Sequence, residues 1–151
     1  MSAPANASYA GDVGVAEAMQ VLSDDPKAVL VDVRSQPEWT FVGLPDLNAI
    51  GKRPLCVEWQ VFPGMAANPS FLSQLAAAVP DRSAPVYFLC RSGARSRAAA
   101  IAATEAGFVR AYNVNEILFN GFEVRPFGAS VAVAFALHQS GLLLFIEIVG
   151  V

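Results

Sequence analysis

The sequence predicts an α/β domain with a mainly parallel central sheet flanked by helices on both faces. Three observations predict it. Short apolar runs of strand-like composition alternate along the chain with stretches of helical character. The run Ala28–Val33 is apolar on both faces, broken only by Asp32 near its end, as a strand covered on both sides should be. At 151 residues, with 54% hydrophobic and 15% charged residues, the chain has material for one covered core and is too apolar to be disordered.

The elements follow in order. Met1–Ala10 is small and polar and reads as a mobile leader, with the domain boundary drawn after residue 8. It has no basic start and no apolar centre, so no signal peptide is expected. Asp12 is placed as the cap of a helix over Val15–Leu22, where Val15, Met19 and Leu22 share a face. Ser23–Pro26 is a turn. Ala28–Val33 is the first strand, and Asp32 and Arg34 fall at its C-terminal end, where ligands gather in open α/β sheets. Ser35–Trp39 fits one short helix, with Ser35 capping and Pro37 and Glu38 in its first turn.

Phe41–Pro54 is punctuated by Gly and Pro and reads as a long loop. Leu55–Trp59 is the next strand, and Pro63–Ala67 a second loop. Asn68-Pro69, a cap followed by Pro in the first turn, starts a helix over Ser70–Val79. After the turn Asp81–Pro85 comes the strand Val86–Leu89. A helix then runs to about Ala106, where Gly107 stops it. Val109–Val114 is a last short strand. There is no internal repeat. The domain is drawn over residues 9–122, with 123–151 set apart as an apolar tail of atypical sequence.

The chemistry concentrates in Val86–Ala100. A buried-type strand delivers Cys90 to the first position of a small-residue turn, and an Ala-rich helix starts directly behind it. The turn amides of Ser92 to Ser96 can curl into a nest of N–H donors around the sulfur. The positive end of the helix dipole points the same way, and Arg91 and Arg95 add full charges. All three favour the thiolate over the thiol. A cysteine alone at a strand end would read as a buried structural residue. Two arginines beside an apolar strand end need a reason, and an anionic ligand supplies one. Gly93 permits the tight curl. Ser96 caps the helix or donates to the sulfur.

Composition excludes several classes. The net charge of −3, with no basic stripe outside the Cys90 helix start, argues against nucleic acid. Cys56 and Cys90 are too few and too far apart for a disulfide framework, and a reactive thiol implies a reducing, cytoplasmic compartment. The sequence lacks the ligands of a metal site, and no cofactor is expected. The only histidine, His138, lies in the tail, which disfavours a Cys–His hydrolase. A Cys-dependent phosphatase shares the strand–loop–helix but needs five residues between Cys and Arg. Here four separate Cys90 from Arg95, a loop sized for sulfur rather than phosphate.

The loop Cys90-Arg91-Ser92-Gly93-Ala94-Arg95-Ser96 resembles the active-site loop of single-domain rhodaneses, a sulfurtransferase family. Val31-Asp32-Val33-Arg34, with Glu38 and Trp39, resembles their second signature, and the resemblance spans roughly Tyr9 to Phe122. It implies the rhodanese-like fold and a two-step transfer through a Cys90 persulfide, with thiosulfate as the favoured donor and a thiol, cyanide or a protein as acceptor. On this reading the loop amides hold the developing charge, and Arg91 and Arg95 bind the small dianionic donor. Asp32 and Arg34 orient the loop or touch the donor, and Glu38 partners one of the arginines. Cys56 is a core thiol or a resolving thiol; Trp39 and Trp59 pack. The non-enzyme alternative is a catalytically silent rhodanese-like binding module, although such modules typically lose the cysteine.

The tail departs from the family, which usually closes with a more polar helical segment containing Gly and Trp. From Phe127 to Val151 the only ionisable residues are His138 and Glu147. Three readings stand: a core helix followed by a terminal strand, a membrane-contacting segment over 131–151 interrupted by His138, Gln139, Ser140 and Glu147, or an aberrant C-terminus.

Overall fold

The structure is a computed structural model and describes residues 8–115 together with the strand Val124–Arg125. The leader before residue 8 and most of the apolar tail lie outside the described residues, so neither the tail's helix-and-strand reading nor its membrane reading is addressed. Among the described residues no helix is long and apolar enough to cross a membrane.

Five parallel strands form the central sheet. They are β1 (Gly11–Val13), β2 (Val29–Asp32), β4 (Leu55–Cys56), β7 (Val86–Leu89) and β8 (Ala111–Val114), in the order β1-β8-β7-β2-β4. The helices are α1 (Val15–Asp24), α2 (Gln36–Phe41), α3 (Phe71–Ala78) and α4 (Ala94–Glu105). The described residues also include two-residue pieces: β3 (Leu44–Pro45) pairs antiparallel with β9 (Val124–Arg125), and β5 (Gln60–Val61) forms a hairpin with β6 (Ala66–Ala67).

The sheet buries both faces. On one, Phe71 and Leu75 of α3 and Ala99, Ala100 and Ala103 of α4 pack on Val31, Val86 and Phe88. On the other, Val15, Ala18 and Leu22 of α1 pack on Leu30, Tyr87 and Leu89. This two-sided cover explains the continuous apolar runs Val29–Val31 of β2 and Val86–Leu89 of β7. The three alanines of α4 let its axis approach the sheet closely. Trp59 meets Phe71 edge-on with ring centroids 5.0 Å apart, so it packs as expected, and Trp39 is also buried.

Several local expectations are corrected. Asp12 does not cap α1; Gly14 holds that position, and Asp12 lies in β1, a strand too short for the sequence pattern to mark. The Ala10 amide donates to the Ala111 carbonyl at 2.9 Å, so the last residue of the Met1–Ala10 stretch joins the sheet. Ser70 caps α3, while Asn68 Oδ1 accepts the Ser70 amide in the turn before it. The loop Phe41–Pro54 holds β3 and a 3₁₀ turn at Asn48–Ile50. Cys56 is exposed rather than core, because β4 is the edge strand.

One buried ion pair anchors the strand ends. Arg34 donates through Nε and Nη2 to the Asp32 carboxylate at 2.7–3.1 Å, and Nη2 also reaches the Gly43 carbonyl at 2.7 Å. Both side chains are essentially sealed, 1% and 0% exposed. The pair joins the end of β2 to the chain leaving α2. Removing one partner would leave an uncompensated buried charge. Arg34→Ala is therefore expected to lower the unfolding free energy by about 3–5 kcal/mol, read as a fall in the denaturant midpoint.

Candidate active site

The site forms where β7 hands over to α4. Gly93 caps α4 with φ of 92°, a left-handed conformation open to glycine at little cost. Space is not the constraint there, since a Cβ would meet nothing nearer than 3.8 Å. The turn points two amides at one atom: Gly93 N lies 3.0 Å and Ser96 N 3.4 Å from Cys90 Sγ. The expected nest is thus narrower than five amides. Ala94 and Arg95 open α4, so their first-turn N–H groups have no intrahelical acceptor and are available to a ligand. Ser92, Ala94 and Arg91 are exposed around the turn.

The sulfur itself is sealed. Cys90 is 0% exposed, against the expectation of a reachable thiol. The cause is its inward direction: Sγ sits beneath the turn, between the two amides and the Ser96 hydroxyl at 3.1 Å. Nor does Ser96 cap α4, since its hydroxyl bonds Asn113 Oδ1 at 2.6 Å.

The two arginines divide. Arg95 is committed to Glu38 in a two-pronged pair, Nη1 to Oε2 and Nη2 to Oε1, each 2.8 Å. Glu38 also accepts the Ser35 amide and hydroxyl at 2.8 Å, so one carboxylate both caps α2 and braces the turn before α4. Arg91 is exposed and makes no hydrogen bond or ion pair with a described residue. Asp32 and Arg34 pair with each other and reach the Cys90 turn only at a distance, by fixing the chain after α2 and, through it, Glu38. Sequence reasoning has both arginines bind the donor and gives Glu38 one of them as partner without naming it, because loop spacing does not show which an acid from another element will take.

Cys56 is placed away from Cys90. In the parallel register Asp32 stands opposite both Cys56 and Leu89, which puts Cys56 on the Leu89 face of the sheet, while Cys90 joins the other face. A groove of about 710 Å³ runs along the β4 edge beside it, lined also by Trp39, Glu58, Asn68 and Gln74. Although the residue is exposed, partial burial of its thiol and the Asp32 carboxylate push the Cys56 thiol up to about 11. This disfavours a resolving role.

Two residues escape sequence reasoning. Asn113 is buried in β8, and Asp12 in β1 bonds it. An asparagine inside an otherwise apolar parallel strand is the available signal. Among the described residues no group of His, Cys, Asp or Glu side chains could hold a metal ion.

Comparison with known proteins bears on this geometry. The family model of the rhodanese-like domain matches residues 15–117. The protein of Rickettsia rickettsii named "Uncharacterized protein RP600 homolog" is 36% identical over 108 residues, 71% of this chain and 79% of that protein. The crystal structure of Rv0390 from M. tuberculosis superposes with a TM-score of 0.65 at 50% identity, covering 72% of this chain and 80% of that one. The solution structure of a polysulfide-sulfur transferase homodimer from Wolinella succinogenes gives a TM-score of 0.58 at 21% identity, over 80% and 82% of the two chains, a likeness of fold.

The Glu38–Arg95 brace has a pH signature. The Arg95 guanidinium, helped by the Ser35 donors, lowers Glu38 from its ordinary 4.5 to about 2. A carboxylate depressed on folding adds stability above its unfolded value, and that stability disappears as pH falls from about 4.5 towards about 2. Glu38→Gln should cost about 1 kcal/mol at neutral pH, a figure reduced for the pair's partial exposure. The gap to wild type should close in denaturant titrations near the bottom of that window.

Proposed function

Because this chain belongs to the rhodanese-like domain family, we propose that it is a sulfurtransferase that carries sulfane sulfur on Cys90 and takes it from thiosulfate. The observation that carries the reading is the pair of amides, Gly93 and Ser96, aimed at Cys90 Sγ. Such donors complement negative charge on sulfur and need no reorganisation when it develops.

The step is a displacement at sulfur. The Cys90 thiolate attacks the outer sulfur of thiosulfate, and a new S–S bond forms. The bond between outer and inner sulfur breaks, and its electron pair leaves with sulfite. The product is a Cys90 persulfide, whose outer sulfur extends towards the free amides of Ala94 and Arg95. An acceptor nucleophile, such as cyanide, a thiol or a protein, then attacks that sulfur, and the Cys90 thiolate is the leaving group. A reducing compartment, the cytoplasm in this proposal, keeps Cys90 free for the cycle.

Arg91 is the cation for the donor's sulfonate oxygens, because Arg95 is held by Glu38. Arg95 contributes by fixing the turn. Since Sγ is sealed, the cycle includes a conformational step: the sulfur turns outward, or Arg91 and Ser92 swing aside, before thiosulfate can reach it. That same sealing favours the second reading, a rhodanese-like module that binds without catalysis.

Intact mass separates the two. Wild-type protein treated with thiosulfate should gain one sulfur atom, and Cys90→Ser none; no gain on either leaves the binding module. Arg91→Ala should raise KM for thiosulfate about tenfold, the effect of one surface-accessible charge contact, with kcat little changed. Initial rates over a thiosulfate series check it.

A further inference from the structure

The polar groups around Cys90 join into one chain of hydrogen bonds that sulfur transfer, as written above, does not use. It runs from Tyr9 through Asp12 of β1, Asn113 of β8 and Ser96 of α4 to the sulfur. Counting protons fixes the direction of each link. The Asp12 carboxylate only accepts. Hence the Tyr9 hydroxyl donates to Asp12 Oδ1 at 2.7 Å, and Asn113 Nδ2 donates to the same oxygen at 2.9 Å. With its nitrogen held there, Asn113 presents Oδ1, an acceptor only, to Ser96 Oγ at 2.6 Å. The Ser96 hydroxyl owns one proton and gives it to Asn113. Its lone pairs then face Cys90 Sγ at 3.1 Å, and the contact is attractive only when the thiol donates S–H to Ser96 Oγ.

We propose that Asp12 and Asn113 are positioning residues that hold the Ser96 hydroxyl in a thiol-retaining orientation, so that Cys90 becomes nucleophilic only when that hydroxyl turns. The inference rests on Cys90 as the nucleophile of the proposed transfer. The turning step balances simply. The S–H proton passes to water, the Ser96 O–H rotates from Asn113 Oδ1 to the anionic sulfur, and Asn113 Oδ1 loses its donor. No covalent bond other than S–H changes. The hydroxyl therefore has two arrangements, one matched to the thiol and one to the anion, and the Asp12–Asn113 link favours the first. The same arrangement accounts for a sulfur that points inward beneath its own turn.

Other charged and titratable groups surround the sulfur. Arg91 flanks it on the turn, and Arg95 and Arg97 stand on α4. Asp32 ends β2 and Arg34 lies two residues past it, Glu38 acts through Arg95, and Tyr9 lies beyond Asp12, with Arg97 5.8 Å from its ring centroid. These remain constant across the variants below, and the Ser96→Ala background absorbs the charge lost when Asp12 is replaced.

The test is the pH midpoint of ultraviolet thiolate absorbance in a Cys56→Ser background, so that Cys90 alone is read. Asn113→Ala removes the acceptor that holds the Ser96 proton. Its midpoint should fall by about one pH unit, the size of one hydrogen bond. In Ser96→Ala, adding Asn113→Ala should shift nothing further. Asp12 is exposed, so Asp12→Ala will fold even if the buried Asn113→Ala does not; it frees the Asn113 amide to flip. It should likewise lower the midpoint more with Ser96 present than in the Ser96→Ala background. An unchanged or raised midpoint, or an equal shift in both backgrounds, overturns the proposal. The titration needs no turnover. A Ser96-dependent shift without persulfide formation keeps the switch and discards the transferase, and persulfide formation without the shift does the reverse.

Discussion

Two main-chain N–H groups aimed at one sulfur atom set the terms for everything around them. They meet Cys90 because β7 ends there, because Gly93 takes a left-handed conformation, and because α4 starts at once and points its first turn back at the strand. None of these is adjustable alone. A residue more in the turn would withdraw the Ser96 amide, and a side chain at position 93 would strain the backbone. The parallel sheet supplies the rest by bringing the C-terminal ends of β2, β7 and β8 to one edge, so that acids and amides distant in sequence surround the turn.

Polar groups tie together the segments that leave that edge. The Asp32–Arg34 pair fixes the chain after α2, and α2 presents Glu38 to Arg95. The two ion pairs form a ladder from the strand end to the Cys90 turn. A buried pair is weak evidence for stability, because desolvation offsets its attraction. Here its value is directional, since each carboxylate has its oxygens assigned and each guanidinium its prongs. One consequence is a division of labour that charge counting alone would miss. Arg95 is part of the scaffold, while Arg91 stays exposed on the turn, the cation that the proposed transfer assigns to the donor.

Much of this is readable in the sequence, and the misses have physical causes. The strands β2 and β7 and the helix α4 announce themselves because their signals are local: short apolar runs, an alanine series and a terminal Gly107. Ser35 and Glu38 mark a helix start for the same reason. The strands β1 and β3 do not, being three and two residues long and defined by partners far along the chain. Cys56 misleads because its strand looks like the others and only topology makes it the edge. The sealed sulfur is invisible for a further reason. Composition shows which donors can reach a thiol, while side-chain direction depends on Ser96 and Asn113 across the sheet.

Whether the Gly93 and Ser96 amides hold charge on the Cys90 sulfur can be read from amide NMR. Proton–nitrogen spectra would be compared for the resting protein and for protein carrying the extra sulfur. The amide protons of these two residues should move the furthest, with Ala94 and Arg95 next as they meet the outer sulfur. Spectra in which Gly93 and Ser96 stay fixed while amides elsewhere respond would contradict that role.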